Sequence, residues 1–277
     1  MLENTIRRTP LPQDVPRLNT LELRDAFLIT NLFMPGQLNG VFTELDRLVV
    51  GGVMPVKPVE LPNHKETGCA FFLERRELGA LNVGGAGLVH ADGKTFLLNR
   101  LNCVYLPMGT ESVTFESKDA KKPAKFYFLS CPAHAAHPAA MMRPKDATPV
   151  PLGSPAAANK RTIHKYIHTG GIRSCQLVMG FTALDKGSVW NSFPPHTHRR
   201  RSEIYFYFDL GENVLTHFLG EPQQTRHLFV HNEQAALSPN WSIHCGCGTG
   251  NYKFIWGMAG ENQTFDDMDG VKPVDLR

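Results

Sequence analysis

Phe193-Pro-Pro-His196-Thr-His198-Arg-Arg-Arg-Ser-Glu203 places two histidines two residues apart. On an extended strand that spacing sends both imidazoles to one face, where they can converge on a single metal ion. Glu203 differs in parity, so a turn or bulge must intervene, and Arg199–Ser202 would make it. A fourth ligand is then expected from an antiparallel strand further on. His244, just past the turn-like Ser238-Pro-Asn-Trp241, is the candidate. His196, His198, Glu203 and His244 thus form a predicted metal site of three imidazoles and one carboxylate. This donor set suits zinc, and equally iron, manganese or nickel. A metal so held is a Lewis acid able to polarise a bound carbonyl.

The flanking sequence reads as short strands. Glu203-Ile-Tyr-Phe-Tyr-Phe-Asp-Leu210 alternates, with Glu203, Tyr205, Tyr207 and Asp209 on one face and Ile204, Phe206, Phe208 and Leu210 on the other. Cys175–Leu184, 213–219, 226–231, 234–237 and 252–258 read as further strands at the close spacing of a sandwich or barrel. Upstream, strands dominate from about Cys69 to Cys131, with Asp92-Gly93 as a hairpin turn and 103–106 as a strand. Phe42–Val50 reads as a strand ending at Gly51-Gly52, and 19–28 as a short helix capped by Asn19 or Thr20. Residues 132–155 hold six prolines and read as an extended linker. Pro107-Met-Gly-Thr-Glu-Ser112 resembles Pro239-Asn-Trp-Ser-Ile-His244, which suggests an internal duplication.

The whole chain fits this picture. Its 277 residues are comfortable for two domains, and 42% hydrophobic with 20% charged residues is globular composition. Twenty-nine basic against 26 acidic residues is too balanced for a nucleic-acid footprint. No apolar run is long enough for a membrane span, and Met1–Arg8 lacks the apolar core of a signal peptide. Six scattered cysteines read as reduced thiols in a cytoplasm. Twelve histidines are a high count and agree with a metal or acid–base site.

His-x-His, a Glu beyond a turn, and a later Pro followed by His are similar to the two metal-binding motifs of the cupin superfamily. There are departures. Gly187 lies further from His196 than the usual glycine, Trp241 stands where the second motif has Gly, and Gly248 where it has Asn. In the first half Gly109 keeps the usual glycine, but Ser112 occupies the histidine position. The resemblance implies an all-β fold with a few short helices: a double cupin, two β-barrels (double-stranded β-helices) in tandem. Residues 1–135 would be a barrel without metal ligands, 136–160 a Pro-rich linker and 161–277 the metal-binding barrel. The stretch Met179–Leu210 further resembles the 5-keto-4-deoxyuronate isomerase family, whose length is close to that of this chain. That resemblance implies a cytoplasmic, zinc-containing homohexamer with one Zn2+ per subunit (Fe or Mn possible). It would convert 5-dehydro-4-deoxy-D-glucuronate to 3-deoxy-D-glycero-2,5-hexodiulosonate in pectin degradation. Its partner would be a small-molecule uronate, with neither nucleic acid nor membrane involved.

Under that reading Tyr205 and Tyr207 share the lumen with Glu203, and Gln176 or Met179 lines the opposite wall. Tyr205, Lys253 and Glu261 are candidates for proton transfer; Gln176, Tyr207 and Arg200 are candidates for substrate binding. The Arg199–Arg201 run otherwise reads as a solvated turn. Cys245 and Cys247 read as small buried strand residues, and Trp190, Trp241 and Trp256 as core or subunit contacts. His90, His134, His137, His217, His227 and His231 read as ordinary polar residues, while His164 and His168 could share a helix face. Two other functions fit a cupin: an iron-dependent dioxygenase, distinguished by oxygen uptake, and a non-catalytic sugar-binding protein, distinguished by lack of turnover.

Overall fold

The alternating run around Glu203 forms the strand Arg201–Phe208, buried along its whole length. It pairs antiparallel with Lys253–Gly260 on one side and Gln234–Ser238 on the other. The computed structural model describes residues 2–264 and 266–277, without the side chains of 2–5. Strands dominate it, with one α-helix, Thr20–Phe27, and single 3-10 turns. The helix starts at Asn19 through a reciprocal capping box with Glu22, as its sequence predicts.

The chain divides into two compact units. The first holds residues 1–7, 31–148 and 166–179; the second holds 8–30, 149–165 and 180–277. This differs from a cut at 135 and 161. The Pro-rich segment is extended, but it is not free: Ala140–Met142 pairs with Cys103–Leu106, and Val150–Leu152 pairs with Arg161–Ile163. Pro151 is tolerated in Val150–Leu152 because that is an edge strand, where a missing N–H costs no ladder bond.

Each unit carries one seven-stranded and one four-stranded sheet. In the first unit, side chains from both sheets share one core, including Leu78, Val104, Phe126 and Phe128 from the larger and Val89, Val113 and Phe115 from the smaller. Asp92-Gly93 makes the expected two-residue hairpin, both residues at positive φ. The predicted strand Phe42–Val50 is instead a hairpin of Gln37–Thr43 and Val49–Met54. Gly51 does not end it. A Cβ there would come within 2.1 Å of the Phe128 ring, so glycine is what lets the neighbouring strand lie this close.

The second unit's larger sheet runs in the order Val150–Leu152, Arg161–Ile167, Val178–Leu184, Lys253–Gly260, Arg201–Phe208, Gln234–Ser238, Leu28–Ile29. Its smaller sheet runs Trp190–Asn191, Cys245–Gly248, Leu215–Glu221, Gln224–Val230. His164 sits on a strand, so the helical spacing of His164 and His168 has no meaning here. The strand predicted from Cys175 begins only at Val178. The reason is local: the N–H groups of Cys175, Gln176 and Leu177 all donate to the buried Glu77 carboxylate, each at 2.7 Å.

The two units repeat one layout. Phe126–Pro132 pairs with Arg76–Asn82 in the first as Lys253–Gly260 pairs with Arg201–Phe208 in the second. Arg76 faces Pro132, and Arg201 faces Gly260. That register sets Leu78 in the place of Glu203 and Leu73 in the place of His198. Both leucines belong to the first unit's hydrophobic core. With Ser112 in the place of His244, the first barrel fills with apolar side chains the space where the second gathers polar ones.

Candidate metal centre

Four side chains meet inside the second unit. His196 comes from the short strand His196–Thr197, held against Asp269–Gly270. His198 follows at the turn, Glu203 lies on Arg201–Phe208, and His244 precedes Cys245–Gly248. The expected turn between His198 and Glu203 is present, closed by the Arg201 N–H to the His198 carbonyl, and the strand resumes at Arg201. His198, Glu203 and His244 are buried and His196 is half-buried. Their ligating atoms all lie within 4.8 Å of one another.

The distances are tight. His198 Nε2 and His244 Nε2 each stand 3.0 Å from Glu203 Oε2, and His244 Nε2 stands 3.0 Å from His196 Nε2. Atoms that bind one zinc-sized ion at about 2.0–2.2 Å must lie roughly 3–4 Å apart. The protonation pattern agrees. His198 Nδ1 lies 3.0 Å from the Arg201 carbonyl, which only accepts, so Nδ1 carries the proton. In the neutral ring, the lone pair of Nε2 then faces a carboxylate oxygen. Lone pairs at this distance repel unless a proton or a metal ion stands between them; three imidazoles and one carboxylate converging this closely are a donor set that fits a divalent metal.

Electrostatics differ from one member of the cluster to the next. Burial, reinforced by His244, pushes His196 down to about 3, which keeps its imidazole neutral and able to ligate. Burial alone would raise Glu203, but His244 and His198 hold it well below the usual carboxylate range. Burial opposes charge on His198 too, yet its bond to Glu203 wins and raises it. Outside this shell, Ser238 Oγ lies 2.9 Å from His244 Nδ1 and fixes that ring. Ser238→Ala is expected to weaken metal affinity by about 10–100-fold, measured by competition with a chromophoric chelator.

A cavity of about 300 Å³ opens on the cluster. His196, His198, Glu203 and Tyr205 form one part of its wall, and Thr182, Trp256 and Arg161 another. Tyr205 is buried, with its hydroxyl 3.0 Å from Ser192 Oγ. Burial, and then the Glu203 charge, push its pKa well above the ordinary value, so Tyr205 stays a phenol. Tyr207 lies deeper, with its hydroxyl 2.8 Å from His217 Nδ1. Both tyrosines share the Glu203 face of the strand, as alternation predicts.

The other candidates are directed elsewhere. Arg200 pairs with Asp267 at 2.6 Å and Asp269 at 3.3 Å, and with Asn262 it holds Asp267 at about 2. Lys253 pairs with Asp209 at 2.6 Å. Glu261 is exposed. Gln176 belongs to the first unit, its N–H donating to Glu77.

Four residues about the cavity and lumen escaped sequence reasoning. Trp256 reads as core and is indeed buried, but it also lines the cavity and donates to Thr182 at 3.1 Å. Arg161 and Ser192 carry no local signal at all. His217 does: Leu215, His217 and Leu219 alternate on one buried face, so a polar residue there must point inward.

The model of the KduI/IolB family matches residues 31–271. A protein of Opitutus terrae named 4-deoxy-L-threo-5-hexosulose-uronate ketol-isomerase is 52% identical, over 97% of this chain and 98% of its own. One of the same name from Halalkalibacterium halodurans is 49% identical, over 96% and 97%. Among solved structures, an IolB-like protein of Salmonella typhimurium superposes with a TM-score of 0.66 at 16% identity, covering 81% of this chain and 86% of its own. Oxalate decarboxylase of Bacillus subtilis, described with Mn(II) centres, gives 0.55 at 10% identity, covering 80% and 71%. The structural likenesses establish an all-β cupin fold. The sequence matches establish kinship: the chain belongs to the KduI/IolB family, beside the relatives named as ketol-isomerases.

Proposed function

We propose that this ketol-isomerase converts 5-dehydro-4-deoxy-D-glucuronate (4-deoxy-L-threo-5-hexosulose uronate) to 3-deoxy-D-glycero-2,5-hexodiulosonate, in a metal-dependent reaction of pectin breakdown. One observation carries the reading. Four metal-ligating side chains converge on a sugar-sized cavity, in a chain matching named ketol-isomerases along almost its whole length. The reaction moves a hydrogen between C1 and C2 without net redox. His196, His198, Glu203 and His244 would hold the metal, zinc by resemblance, with manganese or iron also suited to the donors. When bound, such an ion supplies Lewis acidity to the adjacent C1 and C2 oxygens.

The chain's own residues do the rest. Tyr205 keeps its phenolic proton and offers it as a hydrogen bond to a substrate oxygen beside the ligands. Ser192 orients that hydroxyl. Phe193, Phe254, Trp256 and Met258 line the cavity with apolar surface and keep water from a developing enediolate. The same reading includes a cytoplasmic homohexamer with no nucleic-acid or membrane partner. No helix among the described residues is long and apolar enough to cross a membrane.

The test starts from purified protein, which should carry about one metal ion per chain by mass spectrometry. It should convert ring-opened unsaturated galacturonate monomer to the diketo acid, followed by NMR. Chelation should abolish turnover, and adding back single metals should identify the native one. Full activity in metal-free protein would refute metal dependence; an unchanged substrate would refute the isomerase reading.

A further inference from the structure

We propose that Arg161 grips the substrate's carboxylate, and so selects uronates over neutral sugars, while the reacting carbons sit at the His196–His198–Glu203–His244 end of the cavity. This rests on the isomerase reading above. A carboxylate brought into a half-enclosed, largely apolar cavity loses water and needs a cation in return. Among the described residues that line the cavity, Arg161 is the one lysine or arginine.

Its guanidinium is also uncommitted to an acid. Nη1 donates to the Asn159 carbonyl at 2.9 Å, which steadies the side chain and leaves the other nitrogens available. Other cations of the same unit are engaged: Arg200 by Asp267 and Asp269, Lys253 by Asp209, Lys160 by Asp185. Arg201 donates to the Thr264 and Asp267 carbonyls. Burial lowers the Arg161 pKa, as expected for a partly dehydrated cation lacking a counter-charge.

Placement in the sheet sets the span. Arg161, Thr182, Trp256 and Glu203 lie on four successive strands of the larger sheet, in that order. Three strand spacings amount to about 14 Å between the first and last backbones. The arginine side chain covers part of that distance, and a six-carbon chain fits the remainder. With C1 and C2 at the metal-ligand end, C6 is the atom that reaches toward Arg161. A planar guanidinium can meet a carboxylate through two parallel hydrogen bonds, and this geometry discriminates against a hydroxymethyl group in the same place.

Two assays on the metal-loaded enzyme test the proposal. In turnover, Arg161→Met should raise KM for the uronate about 100-fold and lower kcat less than threefold, with Arg161→Lys in between. In calorimetry, which needs no turnover, wild type should bind gluconate at least tenfold more tightly than glucitol, its uncharged counterpart. Arg161→Met, with metal content and melting curve retained, should abolish that preference. An equal gluconate preference in wild type and Arg161→Met, or no preference in wild type, would overturn the assignment. Because the binding assay does not depend on isomerisation, failure of the isomerase reading would leave this result standing on its own.

Discussion

Replacing His244 with alanine is expected to strip the metal and lower kcat/KM by about three orders of magnitude or more, with the fold retained. Lewis-acid stabilisation is worth several kcal/mol in the transition state, and each 1.4 kcal/mol corresponds to about tenfold in rate. His244 is the informative ligand because it stands 3.0 Å from both His196 and Glu203, at the middle of the cluster. Its removal also releases the neutral lone pairs that the cation would otherwise separate. Metal content, circular dichroism and steady-state kinetics on one preparation decide the matter. A folded, metal-free variant with wild-type kinetics would refute the role assigned to the cluster. Glu203→Gln gives an independent check, since it keeps the side-chain shape and removes the charge.

The largest stability effect is expected far along the chain, at Glu77. This carboxylate is fully buried and accepts three backbone N–H groups from residues 175–177 together with the Tyr105 hydroxyl at 2.8 Å. Glu77→Ala would take the acceptor from all four donors, two of them fully buried. Each orphaned group costs about 1–3 kcal/mol, and local relaxation brings the expected total to about 3–5 kcal/mol, the scale for breaking a buried charged network. The urea midpoint should fall accordingly, while Glu77→Gln, which preserves one acceptor oxygen, should fall less. An unchanged midpoint for Glu77→Ala would show that the carboxylate holds nothing together.

The two sites differ in how far the sequence reveals them. The His196–His198 spacing, the parity break before Glu203 and the placement of His244 all follow from strand geometry, so the cluster is legible residue by residue. The alternation from 203 to 210 also gives the facing of Tyr205 and Tyr207. Arg161 is not legible in this way. It reaches the cavity because its strand lies three places from that of Glu203 in a sheet whose order depends on the whole chain. Arg200, next to the ligands in sequence, is instead drawn off by Asp267 and Asp269. Likewise Gly51 looks like a strand end until the Phe128 ring across the sheet explains it. Residues 175–177 look like strand until Glu77 claims their N–H groups. In each case the deciding partner is remote in sequence, and local pattern carries no trace of it.

The exchange of segments between the two units bears on how the molecule is made. The first unit includes residues 166–179, and the second includes residues 8–30 with its capped helix and edge strand. During synthesis, the early barrel therefore emerges from the ribosome without the segment that supplies the N–H donors to Glu77. The later barrel must wait for residues near the C-terminal end before the helix made first can join it. Neither barrel is complete until translation is well past the middle of the chain. Maturation thus couples the two halves in time, and the first barrel is assembled in step with the one that gathers His196, His198, Glu203 and His244.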